Sequence, residues 1–232
     1  MPEQHAADRS AGSPAAAITQ LLGVIAALRQ HCPWMGALTH ESLVEYLIEE
    51  AYEVVESIEA GSEEELRGEL GDVLLQVVLH ARLAEEHGRF DFADVAEAIT
   101  RKMIRRNPHV FRPDGTLQDS FPATIEEIER TWDSIKNTER AGGRSALDGI
   151  PDNLPALARA QKTLDRAARA GLELPETQRA GVVPAAVDAA TEAELGALLF
   201  AVVAQARSRG LDAERALRGA VREYQRRAGG TS

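Results

Sequence analysis

Apolar residues in this chain recur three or four positions apart, and almost nowhere do they alternate as a half-buried strand requires. The pattern predicts a first helix over 14–30, then a loop at HCPWMGALTH, where Pro33 and Gly36 break the regularity. Ser42 and Glu45 match a capping box, so a second helix is expected to run from there to about Ala60, closed by Gly61. Ser62 and Glu65 repeat the cap for a third helix reaching about His87. Asp91 opens a fourth, which must stop near Asn107 because Pro108 follows. Thr124 and Glu127 open a fifth, to about Arg140. The fold expected is all-α. Residues 1–13 read as disordered, 14–140 as a main helical domain, 141–155 as a Gly/Pro-rich linker, and 156–232 as a second helical region.

The second region is a damaged copy of part of the first. ELGDVLLQVVLHAR (69–82) and ELGALLFAVVAQAR (194–207) are identical at eight of fourteen positions, at a constant offset of 125. MIRR (103–106) is echoed by YQRR (224–227). The apolar scaffold is kept while the charged groups go: Asp72 becomes Ala197, Lys102 aligns with Glu223, and nothing in 171–193 resembles the acid-rich stretch 43–59. This half reads as a degenerate, non-catalytic repeat.

Composition narrows the function. With 44 % hydrophobic residues a real core can form, while only 4 % are aromatic. A net charge of −11 argues against generic binding to nucleic acid or membrane, because the counterion-releasing basic surface is missing. The single cysteine, Cys32, leaves no internal disulfide and suits a reducing, cytoplasmic setting. No signal peptide is evident, and AITQLLGVIAAL is too short and interrupted to span a bilayer.

The acids of LVEYLIEEAYEVVESIE (43–59) carry the candidate chemistry. On a helix, Leu43, Leu47, Ala51, Val54 and Ile58 share one arc. Glu50 falls inside the edge of that arc and Glu53 just beside it, while Glu49 lies further round. The next helix is apolar almost all round, as buried helices are, except for one narrow stripe of Glu65, Glu69, Asp72, Gln76 and His80. Two carboxylates on a buried helix would therefore face two at a core edge. Ionised groups placed so close repel one another and are costly to desolvate. Either a basic partner or a divalent cation must neutralise them. Neither stripe carries a basic residue, though Arg67 and Arg82 are near in sequence. Oxygen-only ligands favour Mg²⁺, or Mn²⁺ as a substitute, over Zn²⁺. A ferritin-like di-iron site needs Glu-x-x-His pairs, and no histidine here has Glu three residues before it. Glu56, Glu59, Glu63 and Glu64 read as ordinary solvated charge.

RKMIRR (101–106) places four cations in six residues of an acidic chain. Lys102 and Arg106 share a face, with Arg105 adjacent. Cations suit a helix C-terminus in any case. Together with a carboxylate-held cation, however, they are the parts of a polyphosphate site. Trp132 and Lys136, four apart on one face, could stack a base and touch a phosphate, although Trp132 could equally be core. Trp34 and His40 flank the start of the second helix; His40 has a capping or packing role as its alternative. His80 is a candidate for support behind the acids. No phosphate-binding Gly-x-x-x-x-Gly-Lys loop is present.

The ordered set CPW…TH.SL..YL.EEAYEV, ELGD.LLQV..HA, KMIRR.PHVF and W..IK closely resembles the MazG family of nucleoside triphosphate pyrophosphohydrolases. The likeness is dense over 18–140 and looser from GIPDNLPALARAQK onward. It implies a helical bundle of the all-α NTP pyrophosphatase type, working as a homodimer that releases nucleoside monophosphate and pyrophosphate in nucleotide-pool housekeeping. By resemblance the metal ligands are Glu50, Glu53, Glu69 and Asp72, with Glu49 supporting them or joining a second metal, and either Glu53 or Glu49 the acceptor of water's proton. Lys102, Arg105, Arg106 and Lys136 would meet phosphate, and Trp132, Trp34 and His40 the nucleoside. The family's CPWDxxQTH is here CPWMGALTH, and Asn107 stands at a common histidine position. The rival reading is a non-enzymatic helical protein whose acidic face is a docking surface.

Overall fold

The computed structural model describes residues 13–121, 124–139, 147–172, 189 and 191–229. Every regular element among them is a helix; Phe111 and Leu117 form one isolated antiparallel bridge. In chain order the helices are α1 (Pro14–His31), α2 (Pro33–Ala37), α3 (Val44–Ala60), α4 (Glu63–Glu86), α5 (Phe92–Arg106), α6 (Ile125–Glu139), α7 (Ala156–Arg169), α8 (Glu192–Ser208) and α9 (Ala213–Gly229). The chain divides into two compact units, Met1–Ile135 and Lys136–Ser232.

The caps explain most boundaries. Ser13 opens α1 by accepting from the Ala16 amide, with Pro14 at the first helical position, where its missing N–H costs nothing. Ser62 accepts from the Glu65 amide to start α4. Asp91 and Asp94 form a reciprocal box at α5. Gly61 ends α3 at φ 77, a conformation that a side chain would strain.

Two local expectations fail. HCPWMGALTH is not wholly irregular, since Pro33 starts the short helix α2. The Ser42–Glu45 box is absent: Ser42 Oγ bonds instead to the amide and carbonyl of Thr39, and α3 begins at Val44 without a side-chain cap. A local turn at 39–42 thus outcompetes the cap. Of the disorder expected over 1–13 and the linker expected over 141–155, residues 1–12 and 141–146 fall outside the described residues.

In the first unit α3 runs along α4, and α1 and α5 also pack on α4. Ile25, Met35, Leu43, Val78, Leu79 and Leu83 make the core. In the second, α7 packs on α8 and α9 around Leu164, Val203 and Ala204. Val78 and Val203, separated by the repeat offset, are 1 % and 0 % exposed, so the copied helix performs the same packing task in each unit.

The apolar arc of α3 and the all-round apolar surface of α4 are less buried than their pattern suggests. Ile58 is 59 % exposed and Leu70 53 %. The first unit's other helices cover α4 mainly along its C-terminal half, from Gln76 to Ala84, and leave the half beside Gly61 open. The acids of α4 therefore sit at a rim and not inside a core.

Candidate metal and nucleotide site

Residues Gly61 and Ser62 join α3 to α4, so the two helices return side by side and the middle of α3 faces the first half of α4. Four residues from the two stripes meet there. Oxygen atoms of Glu50, Glu69 and Asp72 lie within 4.8 Å of one another. Glu53 is within hydrogen-bonding reach of both Glu50 and Glu69. Glu50 and Glu69 are half-buried, while Glu53, Asp72 and Glu49 are exposed. Glu49 lies outside the tight group.

The arrangement is electrostatically unfavourable by itself. Loss of hydration, then the charges of Asp72 and Glu53, raise the Glu50 carboxyl above its ordinary value. Glu69 is raised by the same causes, desolvation first and then Glu53 and Asp72. The nearby arginines do not help. Arg67 reaches Glu64 at 3.9 Å on the open surface, and Arg82 bonds to Glu85 and Glu86. No described salt bridge reaches any of the four acids. Hard oxygen donors converging on a rim open to solvent suit a hydrated, oxygen-seeking divalent cation such as Mg²⁺.

The basic side is built on α5. Arg101 is held by Glu97 at 2.8 Å, one turn back. Lys102 and Arg106 are half-buried and Arg105 exposed. The Arg106 guanidinium lies 5.8 Å from the centre of the Trp132 ring, a cation–π approach that brings α6 to the end of α5. Trp132 is thus half-buried against a cation and not sealed in the core. Lys136 follows one turn later on α6, and its side chain lies outside the described residues. Asn107 caps α5, its Nδ2 donating to the Met103 carbonyl at 2.7 Å.

Trp34, on α2, is 63 % exposed. His40 turns inward: its Nδ1 lies 2.7 Å from Nδ1 of His80, the rings parallel within 4° and their centres 5.0 Å apart. At that separation the rings lie edge to edge in one plane, joined by a single N–H···N hydrogen bond. Both histidines stood out in the sequence, but forty residues separate them and no spacing announces the pair. Arg29 carried no sequence signal either, and its side chain is among the least exposed charged groups described.

A family model described as "MazG nucleotide pyrophosphohydrolase domain" matches residues 38–111. The nucleoside triphosphate pyrophosphohydrolase of Escherichia coli (strain K12) is 40 % identical over 229 residues, covering 90 % of this chain and 85 % of that protein. This chain belongs to the MazG family. The nucleoside triphosphate pyrophosphohydrolase/pyrophosphatase MazG of Thermotoga maritima is 36 % identical over 217 residues, 88 % of this chain and 81 % of its own. A crystal structure of a mazG-related protein from Thermotoga maritima aligns with a TM-score of 0.44 at 26 % identity, over 51 % of this chain and 98 % of that one. The MazG span contains the four clustered acids, His40, His80 and the cations of α5. It begins after Trp34 and ends before Trp132 and Lys136, so the aromatic candidates lie outside it.

Proposed function

We propose that this chain hydrolyses nucleoside triphosphates to nucleoside monophosphate and pyrophosphate with the help of Mg²⁺, acting on the cytoplasmic nucleotide pool as a homodimer. The observation that carries the reading is the convergence of Glu50, Glu69 and Asp72 oxygens within 4.8 Å, with no described cationic side chain among them. A cation would relieve the repulsion within such a group, and the Lys102–Arg106 helix end supplies the complementary anion clamp. Membership of the MazG family, whose Escherichia coli relative carries the pyrophosphohydrolase name, supports the substrate class.

Glu50, Glu69 and Asp72 would hold the ion. When bound, Mg²⁺ supplies positive charge against the triphosphate oxygens and eases deprotonation of water. Glu53, exposed and within hydrogen-bonding reach of two of the ligands, accepts the proton as water attacks phosphorus. Glu49, exposed on the same helix, supports the ligand set from outside. Lys102, Arg105, Arg106 and Lys136 stabilise the charge that grows on the phosphoryl oxygens. Trp132, packed on Arg106, and Trp34 offer faces for a base. The uncovered apolar side chains of α3 and α4, among them Leu47, Ile48, Tyr52, Leu70 and Val77, support the pairing of two copies. In addition, no helix among the described residues is long and apolar enough to cross a membrane.

The test is a panel of nucleoside triphosphates with Mg²⁺ and chromatographic separation of products. Monophosphate and pyrophosphate in equal amounts are expected. Release of orthophosphate in their place would reject the assignment of the bond cleaved.

A further inference from the structure

The segment from Pro33 to His40 is held far more firmly than its surface position requires. Arg29, on α1, aims its guanidinium at this segment: one terminal nitrogen donates to the Leu38 carbonyl at 3.1 Å and also to the Met35 carbonyl. The remaining donors go to Glu86 on α4, at 3.2 Å from Nε and 2.6 Å from the other terminal nitrogen. The Arg29 side chain is only 8 % exposed, and Glu86 is itself fixed by Arg82 at 3.1 Å. The backbone of α2 also approaches α1 closely, since a Cβ on Gly36 would stand 3.2 Å from the Arg29 carbonyl. At the far end of the segment, His40 bonds to His80 of α4.

A buried cation spent on two loop carbonyls is a costly way to hold a surface turn, since Arg29 must be desolvated to do it. Immediately before the carbonyls that Arg29 holds, the chain displays Trp34, 63 % exposed. A rigid backbone under an exposed aromatic is the arrangement a stacking surface needs, because the loop is ordered before the ligand arrives. Both anchors end on α4, the helix that carries Glu69 and Asp72. His80 lies eight residues beyond Asp72, about 12 Å along the helix axis, a separation comparable to the reach of a nucleotide.

We infer that Arg29 is a positioning residue for the nucleoside end of the site: it touches no substrate atom, and it sets the 33–40 segment relative to the acids of α4. The inference rests on the nucleotide reading above. Lysine cannot replace arginine here. A single ammonium lacks the planar fork that serves two carbonyls and a carboxylate together.

The experiment compares wild type, Arg29→Lys and Glu86→Gln as full-length chains. It measures kcat and KM for the best nucleoside triphosphate, and the inhibition constant of inorganic tripolyphosphate with Mg²⁺. Tripolyphosphate has no nucleoside, so it engages the acids and the α5 cations alone. In Arg29→Lys, KM should rise about tenfold, the effect of losing one hydrogen bond to a charged group, with kcat within about twofold and the tripolyphosphate constant unchanged. Glu86→Gln should move KM in the same direction by less. An unchanged KM in Arg29→Lys, or a tripolyphosphate constant that rises in step with KM, would overturn the positioning role. Melting temperature and helical circular dichroism identify a variant that merely unfolds; in that event Glu86→Gln, which keeps the guanidinium and its two carbonyls, decides by the same split. Trp34→Ala checks the underlying reading separately. If its KM is unchanged while that of Arg29→Lys rises, Trp34 is not the stacking surface but the role of Arg29 stands. A chain that binds no nucleoside triphosphate sinks both.

Discussion

Nδ1 of His40 and Nδ1 of His80 share one hydrogen across 2.7 Å, tying the turn before α3 to the middle of α4. The bond exists only while at least one ring is neutral. Burial, and then the neighbouring His40, hold the His80 imidazole below its ordinary value of 6.5. Glu41, next in the chain to His40, is lowered in part by the charge of that histidine. Because the folded form releases its proton more readily than the unfolded chain, the contribution is complete above 6.5 and is lost as pH falls below it.

Replacing His80 with Gln should therefore cost about 1 kcal/mol above this range, or about 2–4 °C in melting temperature, and much less below it. Thermal melts of both proteins across the range provide the check. Curves that stay parallel down to low pH would show that the pair does not titrate as a unit.

Glu50→Gln should act in opposite directions on stability and turnover. Removing one charge from the group relieves repulsion, so the metal-free protein should melt about 2–4 °C higher. The same change removes a proposed ligand, so added Mg²⁺ should no longer raise the melting temperature and hydrolysis should fall to background. Scanning calorimetry with and without Mg²⁺ distinguishes this from simple damage, which would lower the metal-free melting temperature.

Acid should uncouple Mg²⁺ from the fold. Glu50 and Glu69 hold protons at pH values where ordinary carboxyls, near 4.5, have lost them. In the metal-free protein their contribution to stability falls as pH rises through the raised values, because the folded state binds more protons than the unfolded one. Mg²⁺ must displace those protons, so the melting-temperature gain from Mg²⁺ should be largest near neutral pH and shrink on the way down to 4.5. A gain independent of pH over that range would place the ion elsewhere.

Loss of Asp72 should not be rescued from within the chain. Asp72→Ala is expected to abolish hydrolysis, because the copied helix offers Ala197 at the matching position. Glu53→Gln should cut kcat by about 10²–10⁴ with the helical circular dichroism signal intact, as loss of a proton acceptor does. Restoring a carboxylate by Ala197→Asp in the Asp72→Ala background should leave the protein inactive, since residues 171–193 bring nothing like Glu50 or Glu53 to it. Recovered turnover in the double variant would contradict the degenerate-repeat reading.

The helices were legible because their signals are local. Ser62, Asp91 and Gly61 act on neighbours one turn away, and those boundaries follow from the sequence. Ser42 misled because the same hydroxyl can satisfy a turn or a cap, and the Thr39 turn prevailed. The meeting of Glu50, Glu69 and Asp72 was legible from two helical stripes joined by a short turn. Its exposure was not: a hydrophobic pattern does not say whether its residues are covered, and Leu70 and Ile58 stand exposed. The Arg29 clamp and the His40–His80 bond depend on where α1, α2 and α4 cross, which no periodicity encodes.

The repeat shared by α4 and α8 means that this chain contains its own control. Val78 and Val203 anchor the same helix in two cores, one with a carboxylate at the rim and one with alanine. Amide hydrogen exchange along the two helices would then compare local opening with and without the acidic cluster in one unaltered molecule.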